Sequence, residues 1–217
     1  MTFKNFDAIL FDKDGTIFDS EQVCCDAWVL TAKMFNVHFT EHMFKKFIGI
    51  PTDECYQMAH QDFGTTFPMN DFIQETRRYI SAQKQKGLPV KKGFHRFFSH
   101  ILENNVPVGV VTSSAYDSTI ESFQQTDYMG ALDVLVTFDD ISNPKPAPDC
   151  YLLACQKLAV SPERVLVFED SNIGIKASLA AGCQTVAIPD MLEIESELLA
   201  RCHHTLPSFD EVYAILG

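Results

Sequence analysis

Long apolar runs and positive charge are two features that this 217-residue chain lacks. No apolar run approaches the roughly 18 residues that a membrane-spanning helix needs, so we do not expect a membrane protein. The 17 Lys and Arg residues are outnumbered by 29 Asp and Glu residues, which leaves a net charge of −12. Because nucleic acids and anionic membranes attract basic surfaces, we expect neither as a partner. An anionic small substrate would have to be bound by local groups.

Cysteine pairs and a secretory signal are also missing. The seven cysteines form no Cys-x-x-Cys pair and mostly lie in apolar or helical patterns, as Cys24, Cys25 and Cys155 do. This pattern is typical of reduced thiols in a cytoplasmic protein, and it argues against a disulfide framework or a zinc site. Residues 1–11 lack the basic start and the long apolar run of a signal peptide, so we expect the first strand at Ala8 to belong to the fold. The sequence implies no obligate protein partner.

The periodicity of apolar residues predicts two kinds of structure along the chain. Between Phe18 and Leu88 the pattern is helical, with helices predicted over 20–35, 40–47, 52–63 and 71–87, and with a break at Gly49 and Pro51. From Gly93 onward helices alternate with apolar strands, which are predicted at 108–112, 133–137, 165–168 and 184–188. Such alternation is typical of right-handed βαβ units in a mainly parallel sheet. We therefore predict an α/β core over 1–17 and 90–217, with an inserted all-helical cap over 18–89.

The first predicted strand ends in two carboxylates, a glycine and a hydroxyl. Asp12 and Asp14 are two residues apart, so an extended chain would place both side chains on one face. Carboxylates this close repel each other, and a divalent cation or a shared proton relieves the repulsion. The alternative for this stretch alone is an ordinary Asp-Gly turn at the exit of a strand.

Polar residues also follow the later strands. They are Thr112 and Ser113 after the second strand, Lys145 after the third, and Glu169 and Asp170 after the fourth. Because parallel strands end at the same edge of a sheet, we expect these side chains to converge with the two aspartates. Taken alone, Thr112 could be a helix N-cap and Lys145 a solvated loop residue. Two adjacent acids at a buried strand end need a partner.

Four segments of the chain resemble the motifs of the haloacid dehalogenase (HAD) superfamily, in the branch of phosphatases and β-phosphoglucomutases with a small helical cap. They are Asp12-Lys13-Asp14-Gly15-Thr16, Val110-Val111-Thr112, Lys145-Pro146-Ala147-Pro148-Asp149, and Phe168-Glu169-Asp170-Ser171 followed by Gly174. The resemblance covers essentially the whole chain. It implies a Rossmann-like core, Mg²⁺, an aspartyl-phosphate intermediate and a cap that closes over a small phosphorylated substrate. Lys13 departs from the apolar residue common at its position.

The resemblance also implies a role for each matching residue. Asp12 would attack phosphorus, and Asp14 would protonate the leaving oxygen and then activate water. Thr112, Ser113 and Lys145 would bind the phosphate oxygens.

A metal site is implied in the same way. Asp12, the backbone carbonyl of Asp14 and the carboxylate of Asp170 would bind Mg²⁺, which accepts oxygen ligands. Glu169 would be a further ligand or an acceptor beside the ligands.

The sequence is compatible with three functions. The first is a Mg²⁺-dependent phosphatase acting on a small metabolite, such as a sugar phosphate or phosphoglycolate. The second is a β-phosphoglucomutase-like phosphotransferase. Those mutases hold a second phosphate with a Lys-Gly-x-Ser-Arg run, and the matching residues 48–52 contain neither base. Lys45 and Lys46, one helical turn earlier, could substitute or could face solvent.

The third function is a non-catalytic binder of a phosphorylated ligand. Such a binder would not need both Asp12 and Asp14, and both are present. A dehalogenase is disfavoured, because Asp14 and the metal carboxylates serve phosphoryl transfer.

Overall fold

A parallel sheet with helices around it forms the larger part of the protein. The computed structural model describes residues 5–48, 50 and 52–216. Its strands are β1 (Ala8–Phe11), β2 (Val108–Val111), β3 (Val134–Val136), β4 (Val165–Glu169), β5 (Gln184–Ala187) and β6 (His204–Thr205). They lie in the order β3-β2-β1-β4-β5-β6, and each neighbouring pair is parallel. The predicted Rossmann-like, mainly parallel α/β sheet is confirmed.

The α-helices fall into two groups along the chain. Between β1 and β2 lie α1 (Ser20–Met34), α2 (Glu41–Phe44), α3 (Thr52–Phe63), α4 (Met69–Lys86) and α5 (Phe94–Glu103). After β2 come α6 (Tyr116–Phe123), α7 (Asp149–Leu158), α8 (Asn172–Ala181), α9 (Ser196–Leu199) and α10 (Phe209–Leu216). The predicted break at Gly49 and Pro51 lies outside the described residues. No helix in the described part of the chain combines the length and the apolar character needed to cross a bilayer.

Strand β1 lies in the middle of the sheet, and both of its faces are buried. All four of its residues are buried, and Phe11 pairs with Val110 on one side and Phe168 on the other. The Phe11 ring stacks on Phe168 with 5.1 Å between ring centroids and meets Phe94 of α5 edge-on at the same distance. A strand covered by helices on both faces has no face exposed to solvent, which explains its continuous apolar sequence.

Helices α1 to α4 have an apolar core separate from that of the sheet. Trp28 of α1 stacks on Tyr56 of α3 with 5.3 Å between ring centroids and 3° between ring planes. Phe72 of α4 meets the same indole ring edge-on at 5.4 Å. Within the described residues of 18–89, every regular element is helical. These contacts suit an inserted cap, and its boundaries stay a prediction.

The two connections between the sheet and the helical segment run side by side. The backbone N–H of Asp19 donates to the carbonyl of Pro89 at 2.8 Å, and the N–H of Lys91 donates to the carbonyl of Ile17 at 2.8 Å. Phe18 and Val90 form an antiparallel bridge between these hydrogen bonds. The chain therefore leaves and re-enters the sheet region at one place.

The sequence pattern predicts no element after Ile188, whereas the structure has β6, α9 and α10 there. Strand β6 is two residues long, too short to show an alternating pattern. In α10, the fully buried ring of Phe209 packs within 5.9 Å of the Phe11 ring, centroid to centroid. This long-range contact places α10 on the sheet.

Gly109 in β2 marks the tightest packing between neighbouring strands. A Cβ atom added there would lie 2.2 Å from Cγ1 of Val134 and 2.9 Å from Cδ2 of Leu10. We expect Gly109→Ala to lower the free energy of unfolding by about 1–3 kcal/mol, the usual cost of overpacking, in urea denaturation. Gly130→Ala is the control, because no atom lies within 4 Å of its added Cβ. Equal free energies of unfolding for the two variants would contradict this prediction.

Candidate active site

The carboxyl ends of three neighbouring strands bring sequence-distant polar residues together. Asp12 follows β1, and its backbone N–H still donates to the carbonyl of Phe168 in β4 at 3.0 Å. Thr112 follows β2, and its N–H donates to the carbonyl of Val136 at 2.9 Å. Backbone hydrogen bonds of the sheet therefore hold both residues in place. Glu169 is the last residue of β4.

Lys145 links two of the predicted site carboxylates. Its Nζ atom donates to Oδ1 of Asp12 at 2.6 Å, to Oε1 of Glu169 at 2.7 Å and to the carbonyl of Val111 at 3.1 Å. Burial acts to lower the pKa of Lys145, but the charges of Asp12 and Glu169 outweigh burial and raise it. The side chain is thus a buried, charged group, and the alternative of a solvated loop lysine is wrong.

Three buried carboxylates crowd around this lysine. Oxygen atoms of Asp12, Glu169 and Asp170 lie within 4.8 Å of one another. Burial raises the pKa of Asp12 to about 8, although Lys145 opposes the shift. Burial and the charge of Asp12 also raise the pKa of Asp170 well above its usual value. One ammonium does not balance three carboxylates, and a divalent cation with oxygen ligands, such as Mg²⁺, fits this donor set.

Asp14 has a different set of partners. Its Oδ1 atom accepts from the hydroxyl of Ser20 at 2.7 Å, and its Oδ2 atom accepts from the hydroxyl of Ser114 at 2.7 Å and lies 2.9 Å from Nζ of Lys13. Burial would raise the pKa of Asp14, but the Lys13 charge and the three hydrogen bonds lower it. The environments of Asp12 and Asp14 therefore shift their pKa values in opposite directions.

The two predicted phosphate-binding residues after β2 differ in position. Thr112 is buried, and its Oγ1 atom accepts from the backbone N–H of Ser114 at 3.1 Å. Helix α6 is capped by Ala115, so Thr112 is not its N-cap. Ser113 is exposed and lines the cleft above the carboxylates. The structure thus brings Lys145 and Thr112 into the buried site and leaves Ser113 at its surface.

Several residues of the site are not predicted from the sequence. Lys13 is 2% exposed, and its Nζ atom lies 3.3 Å from the hydroxyl of Ser122 in α6. A lysine between two aspartates, at a position where the family usually has an apolar residue, is a sequence feature that could have identified it. Tyr151 of α7 donates its hydroxyl to Oε1 of Glu169 at 2.6 Å.

A second group of carboxylates borders the first. Oxygen atoms of Glu21, Asp170 and Asp190 lie within 4.8 Å of one another. Burial, with the charges of Asp190 and Asp14, raises the pKa of Glu21 to about 7. Lys91 donates to Oδ1 of Asp190 at 2.5 Å. Asp190 follows β5 by three residues, so its position after a strand of the parallel sheet is the sequence signal that points to it.

Two glycines leave the space that the carboxylates occupy. A Cβ atom on Gly174 would lie 1.9 Å from Oε1 of Glu169, and a Cβ atom on Gly15 would lie 2.1 Å from Oδ2 of Asp170. Gly15 also has a φ angle of +80°, in the left-handed region that glycine adopts without strain. Any larger residue at either position would displace a carboxylate.

We expect Lys13→Met to raise the pKa of Asp14, because it removes a positive charge that favours the ionised carboxylate. The pKa is measured by carbon-13 NMR titration of the Asp14 carboxyl carbon in the metal-free protein. Lys46→Met is the matched control, since Lys46 is an exposed residue that pairs with Asp62. An Asp14 pKa that is the same in wild type and Lys13→Met would contradict the contribution of Lys13.

Comparison with known proteins gives a consistent result. The model of the haloacid dehalogenase-like hydrolase family matches residues 9–188. The phosphorylated carbohydrates phosphatase of Thermotoga maritima is 26% identical over 183 residues, which cover 83% of each chain. The validoxylamine A 7'-phosphate phosphatase of Streptomyces hygroscopicus subsp. limoneus is 30% identical over 203 residues, which cover 94% of each chain. Both relatives are phosphatases by name, which supports the prediction of a phosphoric monoester hydrolase.

A solved structure shares the fold. The HAD family hydrolase from Deinococcus radiodurans R1, with bound phosphate and sodium, superposes with a TM-score of 0.82 and is 24% identical. The likeness covers 97% of this chain and 95% of that chain. Since the family match covers most of the chain and includes all four motifs, the chain belongs to the haloacid dehalogenase-like hydrolase family, as its motifs predicted.

Proposed function

We propose that this protein is a Mg²⁺-dependent phosphatase that hydrolyses a small phosphorylated metabolite, such as a sugar phosphate or phosphoglycolate, through an aspartyl-phosphate intermediate. The observation that carries the proposal is geometric: Asp12 lies among buried carboxylates beside Lys145, and Asp14 is held apart from them by its own hydrogen bonds. A phosphatase needs both a carboxylate that attacks phosphorus and a group that exchanges protons. The two relatives named as phosphatases support the same reaction.

In the first step, a carboxylate oxygen of Asp12 forms a bond to phosphorus while the bond from phosphorus to the leaving oxygen breaks. Asp14 gives its proton to that oxygen, so the product leaves as a neutral alcohol. Lys13 lowers the pKa of Asp14, whereas a phosphoryl dianion bound beside it acts in the opposite sense and favours the protonated acid. Lys145, Thr112 and Ser113 hold the phosphoryl oxygens.

In the second step, Asp14 acts as the base. It takes a proton from a water molecule whose oxygen attacks phosphorus, and the bond between phosphorus and Asp12 breaks. Inorganic phosphate leaves, and Asp12 is again a free carboxylate. The hydroxyls of Ser20 and Ser114, each 2.7 Å from an Asp14 oxygen, keep that carboxylate oriented in both steps.

Mg²⁺ would be held by Asp12, Asp170, Glu169 and the backbone carbonyl of Asp14. When bound, it would offset the negative charge of the phosphoryl oxygens. Glu169 also holds Lys145, which donates to its Oε1 atom at 2.7 Å. Thr16 donates its hydroxyl to Oδ1 of Asp170 at 3.3 Å and orients that carboxylate.

We infer that the helical segment 18–89 is a cap over this site. Ser20, the first residue of α1, contacts Asp14 directly, and Lys84 of α4 donates to the hydroxyl of Ser118 in α6 at 3.0 Å. A segment that reaches the catalytic loop can exclude bulk water while the phosphoryl group is transferred. Lys45 and Lys46, the substitute phosphate anchors for a mutase, do not line the cleft beside Asp14, and Lys46 forms an ion pair with Asp62. A phosphatase therefore fits better than a mutase.

We expect Asp12→Asn to abolish turnover, because an amide is nearly isosteric with the carboxylate but cannot form the phospho-intermediate. Loss of the nucleophile costs roughly 10⁶-fold in kcat in other covalent enzymes. Phosphate release from p-nitrophenyl phosphate measures the loss, and circular dichroism verifies the fold. Asp127→Asn is the control, since Asp127 is exposed and outside the site. Activity of Asp12→Asn near that of wild type would refute the mechanism.

We expect chelation of divalent cations to remove activity, Mg²⁺ to restore it and Ca²⁺ to inhibit it. Ca²⁺ takes more oxygen ligands at longer distances, which would draw a second oxygen of Asp12 into coordination and spoil its attack. Asp170→Asn should raise the dissociation constant for Mg²⁺, measured by calorimetry independently of activity. Full activity after exhaustive chelation would show that the metal part of the proposal is wrong.

A further inference from the structure

A cleft of about 790 Å³ extends from the candidate active site toward the helices of segment 18–89. Asp14, Ser114 and Lys145 lie at one end of it, and residues of α1, α3 and α4 line its other end. Pockets of about 300–1,000 Å³ enclose most of a small-molecule ligand. The cleft is therefore much larger than a phosphoryl group, and its far end is available to the leaving group.

The far end of the cleft is lined mainly by apolar side chains. Cys24, Ile48, Ile50 and Ile80 line it and are half-buried, so part of each side chain is available for contact. Trp28, whose indole is buried, also lines the cleft. Such a surface gains free energy by covering an apolar group rather than a hydrated, polyhydroxylated one.

The sheet side of the cleft adds two exposed apolar side chains. Phe138, after β3, is 49% exposed, and Ile173 in α8 is 37% exposed. Both line the same cleft. A single exposed apolar side chain has no functional meaning by itself, but exposed apolar side chains grouped in one groove mark a ligand-binding surface.

The charges along the cleft provide no separate site for a second phosphate. Three lysines line it, and each has a carboxylate within salt-bridge distance: Lys13 with Asp14 at 2.9 Å, Lys145 with Asp12 at 2.6 Å, and Lys84 with Glu121 at 3.4 Å. The lining residues that the structure describes include no arginine. Glu21 adds a further acid. A second phosphate would meet paired lysines and like charge.

We propose that the natural substrate is a monophosphate whose phosphorylated sugar or polyol carries an uncharged planar ring, as nucleoside and flavin monophosphates do. The phosphate occupies the carboxylate end of the cleft, and the ring lies against the apolar far end and the exposed side chain of Phe138. This inference rests on the proposed phosphatase function, because it names the substrate class of that same site. The proposal predicts that ring-bearing monophosphates are better substrates than simple sugar phosphates, and that bisphosphates are not preferred.

The test uses substrate pairs that differ only in the ring. Phosphate release is measured with Mg²⁺ for uridine 5'-monophosphate against ribose 5-phosphate, and for riboflavin 5'-phosphate against ribitol 5-phosphate. We expect kcat/KM to be at least 10-fold higher for the ring-bearing member of one or both pairs. Fructose 1,6-bisphosphate should be used no better than ribose 5-phosphate.

Variants test whether the preference for ring-bearing substrates depends on the residues that line the cleft. Phe138→Ala should lower the ratio of kcat/KM between ring-bearing and ring-free substrates by at least 3-fold. Leu152→Ala is the matched control, because Leu152 is 43% exposed on α7 and does not line the cleft. It should leave both the ratio and the activity unchanged.

The possible failures are distinguishable. Equal kcat/KM within both pairs, better use of the bisphosphate, or a ratio unchanged by Phe138→Ala would overturn this inference alone, since phosphate would still be released. No phosphate release from any of these compounds or from p-nitrophenyl phosphate would overturn the proposed function, and this inference with it.

Discussion

The ion pairs of Lys145 with Asp12 and Glu169 are the interaction on which the rest of the site depends. Burying two carboxylates and an ammonium is costly, and their attraction compensates only when the geometry is close and the remaining oxygens are hydrogen-bonded. Here the distances are 2.6 and 2.7 Å, and Tyr151 donates to the same oxygen of Glu169. These contacts exist because β1 and β4 are neighbours in the sheet, so that Asp12 and Glu169 emerge side by side.

A second constraint follows from the turn after β1. Asp12 remains against the buried end of the sheet, whereas Asp14 is held by groups from three other places: Lys13, Ser20 at the start of α1, and Ser114 after β2. Burial raises the pKa of Asp12, and the surrounding donors lower the pKa of Asp14. One short loop thus supplies two carboxylates in different electrostatic environments. Ser20 is the first residue of α1, so the hydrogen bond that it donates to Asp14 also connects this loop to the helical segment.

The acidic character of the whole protein is compatible with an anionic substrate because the charges are arranged locally. A net charge of −12 gives no long-range attraction for phosphate, and Glu21, Asp170 and Asp190 form a second acidic group beside the first. Within the described residues, lysines at the site are paired with carboxylates. A divalent cation would change this balance at the phosphate end. The far end of the cleft is apolar, so it favours a ligand whose apolar surface fits it over a ligand that is strongly hydrated there.

The sequence by itself determined the parts of this protein that depend on local pattern. The sequence shows the apolar run of β1, the alternation of helices and strands, and the polar residues in the segments that follow β1 to β4, so Asp12, Lys145 and Asp170 could be predicted to converge. Tertiary structure alone decided which side chains meet. Ser114 rather than Ser113 contacts Asp14, and Lys13 is buried between Asp14 and Ser122, because these contacts join residues about 100 positions apart. The same reason applies to β6 and α10, which are placed by contacts with β5 and the Phe11 ring rather than by a pattern of their own. Local periodicity records which face of an element is apolar, whereas the partner of a buried polar group is set only when the elements pack.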